Sequence, residues 1–204
     1  MKTPKNIQIQ ASFISKRRMS KLALSLPMIL INLYLLQAKA EAQSIVPEPS
    51  PTGTGTTAVQ NGTIINIGGG TTSGTGKNQN LFHSFTQFDL SKGQTANFLS
   101  NSNILNILAR INGGSASIIN GTIQVGGNSN LFLMNPSGII FGNSASLNVP
   151  GSFTATTATG IGFGNNGSLF FNAVGNPDYQ SLTDAPTSFA FGGTQAGQLS
   201  ARQP

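Results

Sequence analysis

The chain has 204 residues, of which 25 are glycine, none is cysteine or tryptophan, and only 8% carry a charge, yet its formal net charge is +6. Such a composition excludes an average globular domain, and the basic excess raises the question of nucleic-acid binding. Positions 1–42 contain seven lysines and arginines against one acid, Glu41, and so account for the whole excess. Positions 43–204 contain four bases and four acids, so they offer no basic patch for phosphates, and no nucleic-acid partner is expected.

The N-terminal segment, positions 1–42, is organised like a signal for the Sec export machinery. A basic stretch at Lys16–Lys21 precedes an apolar run at Leu22–Leu36, and small residues alternate through Ala38–Ala42. The apolar run is shorter than the roughly 20 residues that a membrane span needs, which favours cleavage over a retained anchor. Of the two small-x-small sites in this stretch, we favour the one that is cut between Ala42 and Gln43.

Changes in composition divide the chain into four segments. Residues 43–58 contain three prolines and alternating glycine and threonine, which predicts an extended lead-in with little to bury. The predicted boundaries are a signal peptide at 1–42, the lead-in at 43–58, a β-helix domain at 59–198 and a truncated tail at 199–204. Because the basic region is long, translation starts either at Met1, with an extended signal, or at Met19.

Short apolar or β-branched runs, separated by glycine and asparagine, fill the third segment and predict β-strands. The runs are Thr63–Ile67, Ile118–Val125, Leu131–Met134, Gly138–Phe141, Ser146–Val149, Ser152–Thr156, Ile161–Phe163 and Ser168–Phe171. Alternation within them places pairs of residues on one face, namely Ile139 with Phe141, Leu147 with Val149, and Phe153 with Ala155. The turn spacing fits a sandwich, a barrel or a β-solenoid.

A weak internal repeat helps to separate these architectures. Asn61–Gly69 recurs as Asn120–Gly127, and a looser third copy begins at Asn166. The step from the first copy to the second is longer than the step from the second to the third, which counts against a propeller, because its blades have one length. A solenoid tolerates coils of different length and uses glycine and asparagine at its corners, so the repeat favours a solenoid.

Two segments depart from strand alternation. Phe82, Phe85 and Phe88 recur at every third position, which fits one face of a short helix or a twisted strand. The apolar residues of Ile104–Ile111 also have helical spacing, and Gly113 and Gly114 follow them. We expect irregular or capping elements here, over the N-terminal end of the solenoid.

The residues available for catalysis are few. The only histidine, His83, has no carboxylate close in sequence except Asp89, so we interpret it as a hydrogen-bonded or exposed strand residue rather than part of a triad. Asp178 and Asp184 lie in a proline-bearing loop, where aspartate most often makes turns. No spacing suits a metal or a phosphate loop. The sequence therefore predicts no enzyme and no cofactor.

A longer series of motifs resembles a known family. Asn80–Phe88, followed by Asn120–Gly142, is similar to the filamentous haemagglutinin-type N-terminal secretion domain of two-partner secretion exoproteins, also called the haemagglutination activity domain. The resemblance extends from about Thr57 to Gln198. It implies an all-β fold, a right-handed parallel β-helix (β-solenoid) with a capped N-terminal end. It also implies export by the Sec route into the periplasm, recognition by an outer-membrane transporter with periplasmic peptide-binding domains, and secretion to the cell surface or medium.

The resemblance also implies where the transporter reads the chain. The family's Asn-Pro-Asn-Gly-Ile motif corresponds to Asn135, Pro136, Ser137, Gly138 and Ile139, with serine in place of the second asparagine. The upstream Asn-Pro-Asn-Leu motif corresponds to Asn101, Ser102, Asn103 and Ile104, where the proline is missing. In the second motif, the proline and the glycine two residues later predict a sharp turn, so this motif is either a solenoid corner or a signal for the transporter.

The leading functional hypothesis is therefore a secretion domain, part of an adhesin, that folds at the cell surface after export. One alternative is a surface module that binds glycans or cells of a host or neighbour by itself, since solenoid flanks commonly bind partners. A β-helix polysaccharide lyase is a weaker alternative, because the chain has so few carboxylates. Family members usually carry a long passenger after this domain, so we expect the chain to be a fragment or a truncated product.

Overall fold

The computed structural model describes residues 44–164, 168–192 and 199–201. The predicted signal peptide and its cleavage site between Ala42 and Gln43 lie outside these residues. The described elements are β1 (Ile45–Pro47), β2 (Thr56–Asn61), β3 (Ile64–Gly69), β4 (Thr71–Ser73), β5 (Gln79–Phe88), β6 (Thr95–Leu99), β7 (Ile104–Ile111), β8 (Ser117–Ile119), β9 (Thr122–Gly126), β10 (Asn130–Met134), β11 (Ile139–Phe141), β12 (Ser146–Asn148), β13 (Phe153–Thr156), β14 (Gly160–Phe163), β15 (Leu169–Asn172), a 3-10 helix (Tyr179–Ser181), β16 (Pro186–Ala190) and β17 (Leu199–Ala201).

Parallel strands stack into coils around one core. Strands β5, β7, β10 and β13 form sheet A, strands β3, β6, β9 and β12 form sheet B, and strands β8, β11 and β17 form sheet C. Each coil passes through sheet B, then sheet A, then sheet C. The chain is therefore all-β with stacked parallel coils, and the predicted β-solenoid fold is confirmed.

The stacking is in register, so equivalent side chains form rows along the solenoid. In sheet B the inward row contains Ile65, Ala96, Ile123 and Leu147, and each step along this row spans fewer residues than the step before it. The first three are buried in the core. Coil length thus shortens along the chain while the register is kept, which explains why the sequence shows no fixed period.

Antiparallel strands cap the N-terminal end. Strand β2 pairs with β3, while β1 and β4 pair with β5, so the first strands of sheets B and A have no free edge. The expectation that residues 43–58 have little to bury is wrong, because Ile45 is fully buried in the core and Glu48, Thr54 and Thr56 are also buried. The segment is short of apolar residues but supplies the cap.

The two segments with helical spacing are the neighbouring parallel strands β5 and β7 of sheet A. Strand β7 is buried on both faces, with Ile107 and Ala109 in the main core and Leu108 on the opposite side. A strand that is covered on both faces has a nearly continuous apolar run, which cannot be told from a helix by spacing alone. The expectation of irregular or capping elements at Ile104–Ile111 is therefore wrong.

A fourth, antiparallel sheet covers the outer face of sheet A. Strands β15, β14 and β16 pair in that order to form this sheet D. Phe82 and Leu108 of sheet A pack with Phe163 and Phe171 of sheet D in a second apolar cluster. The Phe82 ring centroid lies 5.0 Å from that of Phe171 and 6.0 Å from that of Phe163. Sheet D is the reason that sheet A has no solvent face.

Most of the other strand predictions match the observed elements, with one exception. The predicted run Ile118–Val125 is two strands, β8 and β9, separated by a corner at Asn120 and Gly121. A Cβ atom at Gly121 would lie 2.3 Å from the backbone oxygen of Gln94, so only glycine fits this corner. The predicted tail contributes β17, which pairs with β11. In the described parts of the chain, no helix is long and apolar enough to cross a membrane.

Candidate functional site

The second motif forms the corner between β10 and β11. The backbone N–H of Gly138 donates to the carbonyl of Asn135 at 3.0 Å, and the N–H of Ser137 donates to the side-chain oxygen of Asn135 at 2.9 Å. Gly138 has a φ of 117°, a conformation that favours glycine. The residues thus fold as a tight turn that the asparagine side chain closes, as the proline and glycine predicted.

Asn135 also ties this corner to the coil before it. Its side-chain amide donates to the backbone oxygen of Ser115 and to the hydroxyl of Ser117, both at 3.0 Å. Asn135 is 1% exposed, and Gly138 and Ile139 are buried as well. Only Ser137, the residue that departs from the family motif, is exposed. In the folded chain most of this motif is therefore inaccessible to a partner.

The first motif forms the corner between β6 and β7 with the same hydrogen bonds. The N–H of Asn103 donates to the side-chain oxygen of Asn101 at 2.9 Å, and the N–H of Ile104 donates to the carbonyl of Asn101 at 3.1 Å. The turn therefore forms although Ser102 replaces the family's proline. Unlike the second motif, Asn101, Ser102 and Asn103 are all exposed.

A shallow surface groove of about 440 Å³ includes part of the first motif. Its lining contains the amide side chains of Asn78, Asn101 and Asn128 and the partly exposed Leu105. Asn78 has a φ of 70°, an uncommon backbone conformation that asparagine tolerates better than most residues. The groove contains no charged residue and has a mixed polar and apolar lining, and no sequence motif predicted it separately.

His83 points into the core at the capped end. It is fully buried, its Nδ1 lies 3.1 Å from the hydroxyl oxygen of Thr56, and its ring packs against Phe85 and Phe98. Burial lowers the pKa of His83 to about 4, so the imidazole is neutral at physiological pH. It is thus a hydrogen-bonded strand histidine, one of the two interpretations that the sequence allowed.

Sequence reasoning missed a buried ion pair that joins three parts of the fold. Arg110 Nη2 donates to Glu48 Oε2 at 3.0 Å, and both side chains are almost fully buried. The guanidinium also donates to the carbonyls of Thr52, Asn172 and Gly175, at 3.0, 3.0 and 2.6 Å, and lies 5.5 Å from the ring centroid of Phe171. The one feature of the sequence that could have predicted this pair is an arginine within an apolar segment, because a buried charge needs a partner.

Two further carboxylates, those of Asp89 and Asp178, have structural partners. Asp89 accepts from the backbone N–H of Ile118 at 2.7 Å and from the Gln87 side chain at 2.8 Å, and Asp178 caps the 3-10 helix. The described ranges contain no group of three or more histidine, cysteine, aspartate or glutamate residues that could hold a metal ion.

Comparison with known proteins agrees with the geometry. No curated protein matches the chain. The sequence profile of the TPS secretion domain matches residues 43–202, which is most of the chain, and a solenoid with a capped N-terminal end fits it. This family is a secretion and adhesin type of domain rather than an enzyme family. The chain therefore belongs to the TPS secretion domain family of two-partner-secreted exoproteins, whose members have a cognate outer-membrane transporter as partner.

Proposed function

We propose that the cognate transporter recognises this domain in the periplasm while it is still extended, and that the solenoid forms only after export by way of Sec and the periplasm. The observation that carries the proposal is the burial of the second motif. Asn135 is 1% exposed once folded, and its amide is bonded to the neighbouring coil. Since a buried side chain cannot select a partner, recognition through Asn135 requires an extended chain.

An extended chain also offers what a peptide-binding domain uses. Backbone N–H and C=O groups that later pair between coils are free before folding, and they can add a strand to a partner sheet. The asparagine and apolar side chains of the motif then select the register of that strand. No nucleotide or cofactor is needed, because the solenoid buries its core only after passage and so disfavours return.

The first motif contributes differently in this scheme. Asn101 and Asn103 form an exposed corner in the folded domain, so they are accessible before and after export. We therefore assign them to recognition as well. Because serine replaces the proline, the backbone of this corner is less restricted in the extended chain than that of the second motif.

The test separates recognition from folding with matched variants. Asn135→Ala removes the motif side chain, whereas Ser117→Ala removes only its partner hydroxyl in the folded state. We expect Asn135→Ala to lower release about tenfold, equivalent to about 1.4 kcal/mol of binding free energy, with the processed chain accumulating in the periplasm. Ser117→Ala should be released like the original chain although it unfolds more easily.

The readout is the amount of processed chain in the medium, the outer membrane and the periplasm, with capture of the chain on the transporter's periplasmic domains as a second measurement. Undiminished release of both Asn135→Ala and Gly138→Ala would remove the recognition role. An equal loss for Asn135→Ala and Ser117→Ala would show that the motif acts only through folding.

A second candidate function is adhesion by the folded surface, and the amide-lined groove favours it. Asn78, Asn101 and Asn128 present donors and acceptors around the apolar Leu105, which suits a neutral, polyhydroxylated ligand such as a glycan. Purified chain should then bind a glycan array or cells in the absence of any transporter, and Asn128→Ala should weaken that binding. Binding that is unchanged in this variant would place the site elsewhere.

A further inference from the structure

Two grooves meet at the corner between β6 and β7. The first is the groove of about 440 Å³ described above. The second has about 260 Å³ and includes Gly68, Thr72 and Leu99 in its lining. Asn101 and Ile104 line both grooves, so the two form one depression that crosses the corners of three successive coils. Since parallel strands lie about 4.8 Å apart, the depression is about 10 Å long from the first corner to the third.

Three side-chain amides in this depression retain hydrogen-bonding groups for a ligand. Asn78, Asn101 and Asn128 are all exposed. Within the described ranges, the side chains of Asn78 and Asn128 have no hydrogen-bond partner, and Asn101 uses only its oxygen, which accepts from the N–H of Asn103 at 2.9 Å. An amide has both donors and acceptors, as a hydroxyl group does. The amides therefore suit a ligand with many hydroxyl groups.

Two exposed leucines supply apolar contact beside the amides. Leu99 is 47% exposed in the second groove, and Leu105 is 39% exposed in the first. Leu99 pairs with Gly126 in the next coil, where an added Cβ would meet no atom closer than 3.6 Å. The fold thus has room for a side chain at this position, and its absence leaves Leu99 open on that side. Covering such leucines with the C–H face of a sugar ring removes apolar area from water.

Two other classes of ligand fit the depression poorly. Among the described residues that line the two grooves, none is ionisable, so a phosphate or carboxylate would lose its water without gaining a charged partner. Strands β6 and β9 beneath the depression are paired on both sides within sheet B, so an extended peptide cannot add a strand there. The surface therefore favours an uncharged ligand that is held by side chains.

We propose that the two grooves together bind a linear, uncharged oligosaccharide that lies along the solenoid, with Asn101 at the centre of the site. The proposal rests on the adhesion function proposed above and specifies its ligand as a chain of sugars rather than a single sugar. Asn101 Nδ2 donates to a hydroxyl where the grooves meet, Asn128 bonds hydroxyls at one end, and sugar rings cover Leu99 and Leu105. A single ring is shorter than the depression, so it reaches only one groove.

The test is a series of ligands of increasing length. Binding of the exported chain is measured by calorimetry or NMR titration with glucose, with N-acetylglucosamine, and with the β-1,4-linked oligomers of each up to the hexasaccharide. We expect the dissociation constant to fall about tenfold from the monosaccharide to the trisaccharide and to change little beyond it. Binding that is independent of length, or tighter binding of sialylated oligosaccharides, would overturn this proposal alone. A chain that binds no glycan in the series or on an array would overturn the adhesion function as well.

Matched variants locate the site. Asn101→Asp keeps the acceptor for the N–H of Asn103, and with it the corner, but removes the side-chain donor, so it should raise the dissociation constant of the trisaccharide about fivefold. Leu99→Ala and Asn128→Ala shorten the site from opposite ends and should each reduce the dependence on ligand length.

The control is Asn143→Ala, which removes an exposed asparagine from a separate groove beside Ile118 and Ile140 and should bind like the original chain. Unchanged binding by Asn101→Asp, or an equal loss for Asn143→Ala, would overturn the proposal. Thermal unfolding of each variant identifies any loss of binding that comes from a loss of fold.

Discussion

The two ends of the solenoid differ in how their cores are covered. At the N-terminal end, β1, β2 and β4 run antiparallel to the first coil and carry sequence that does not repeat in the later coils. At the other end, β12 and β13 keep the pattern of the interior coils, although the described residues place no strand beyond them. A cap thus requires its own sequence, whereas an uncovered coil retains everything needed for another strand to be added.

The capped end also contains a buried cluster of polar groups. The hydroxyls of Thr54, Thr56 and Ser84 and the ring of His83 form one buried hydrogen-bonded network between the cap and β5. Buried polar networks are sensitive to the loss of any member. The capped end should therefore respond strongly to mutation and to pH, and the uncovered end weakly, which the following predictions test.

The largest difference is expected within a single row of side chains. Ile65→Ala removes a side chain that is 1% exposed at the capped end and should lower the free energy of unfolding by about 3 kcal/mol, as core deletions do. Leu147→Ala changes the same inward row at the uncovered end and should cost less than about 1 kcal/mol. Chemical denaturation of the two variants at low protein concentration measures the contrast.

Ile123→Ala serves as the control for row position, because it lies between the two and is fully buried. It should resemble Ile65→Ala. Equal losses for Ile65→Ala and Leu147→Ala would mean that the last coil is as well covered as the first.

The ion pair of the cap should give the next effect. Glu48→Ala leaves the Arg110 guanidinium buried without its carboxylate, which should cost about 3 kcal/mol, somewhat reduced by the three carbonyls that remain. Thermal or urea unfolding checks this value. The double variant Glu48→Ala with Arg110→Met, which removes both charges, should recover part of the loss, and a double variant less stable than Glu48→Ala would contradict the explanation.

The smallest of the three effects is a pH dependence from His83. Its pKa is lowered to about 4 from an ordinary 6.5, so the unfolded chain takes up a proton before the folded chain does. Stability is therefore full above pH 6.5 and falls as the pH drops toward 4, by about 2 kcal/mol between pH 7 and pH 5.

Denaturation curves at several pH values, compared between the original chain and His83→Gln, measure this contribution. The variant should have a lower stability at pH 7 but a flatter profile between pH 7 and pH 5. A slope that is unchanged by the substitution would assign the pH dependence to other groups. The uncovered end supplies no such group, since no ionisable residue lies between Arg110 and Asp178.

The architecture could be predicted from the sequence because the corners and the alternation are local features. The Asn135–Ile139 turn and most strands follow from glycine, proline and β-branched residues. Alternation correctly placed the side chains of Leu147 and Val149 on the same face. It did not predict that their exposed fractions differ, because exposure depends on what the next coil covers.

The internal repeat illustrates what local features cannot show. Matching Asn61–Gly69 to Asn120–Gly127 pairs Ile64 with Ile123, but the structure stacks Ile65 over Ala96 and Ile123. The first Asn-Gly lies in the antiparallel β2–β3 hairpin and the second in a solenoid corner. Since a shift of one residue exchanges the inner and outer faces of a strand, the repeat alone would give the wrong core.

Tertiary partners far along the chain account for the other misses. Because sheet D covers the outer face of sheet A, β7 is apolar on both faces, and its sequence therefore has helix-like spacing. The ion pair joins Glu48 and Arg110, which are 62 residues apart in sequence. Neither Ile45 nor Glu48 stands out within a proline-rich segment. Such long-range contacts leave no periodic signal, so the sequence predicts an extended lead-in where the structure has a cap.

The arginine that joins three parts of the fold also sets a limit on how quickly the domain can form. Its partners extend from Glu48 to Gly175, so its full set of bonds requires the closure of loops of 62 and 65 residues. The side chains of Ser73 and Asn80 likewise donate to the carbonyl of Leu182, which lies more than 100 residues later in the sequence. Chains whose contacts are so distant in sequence fold slowly. We therefore expect a long-lived extended state, which gives a transporter time to move the chain before folding is complete.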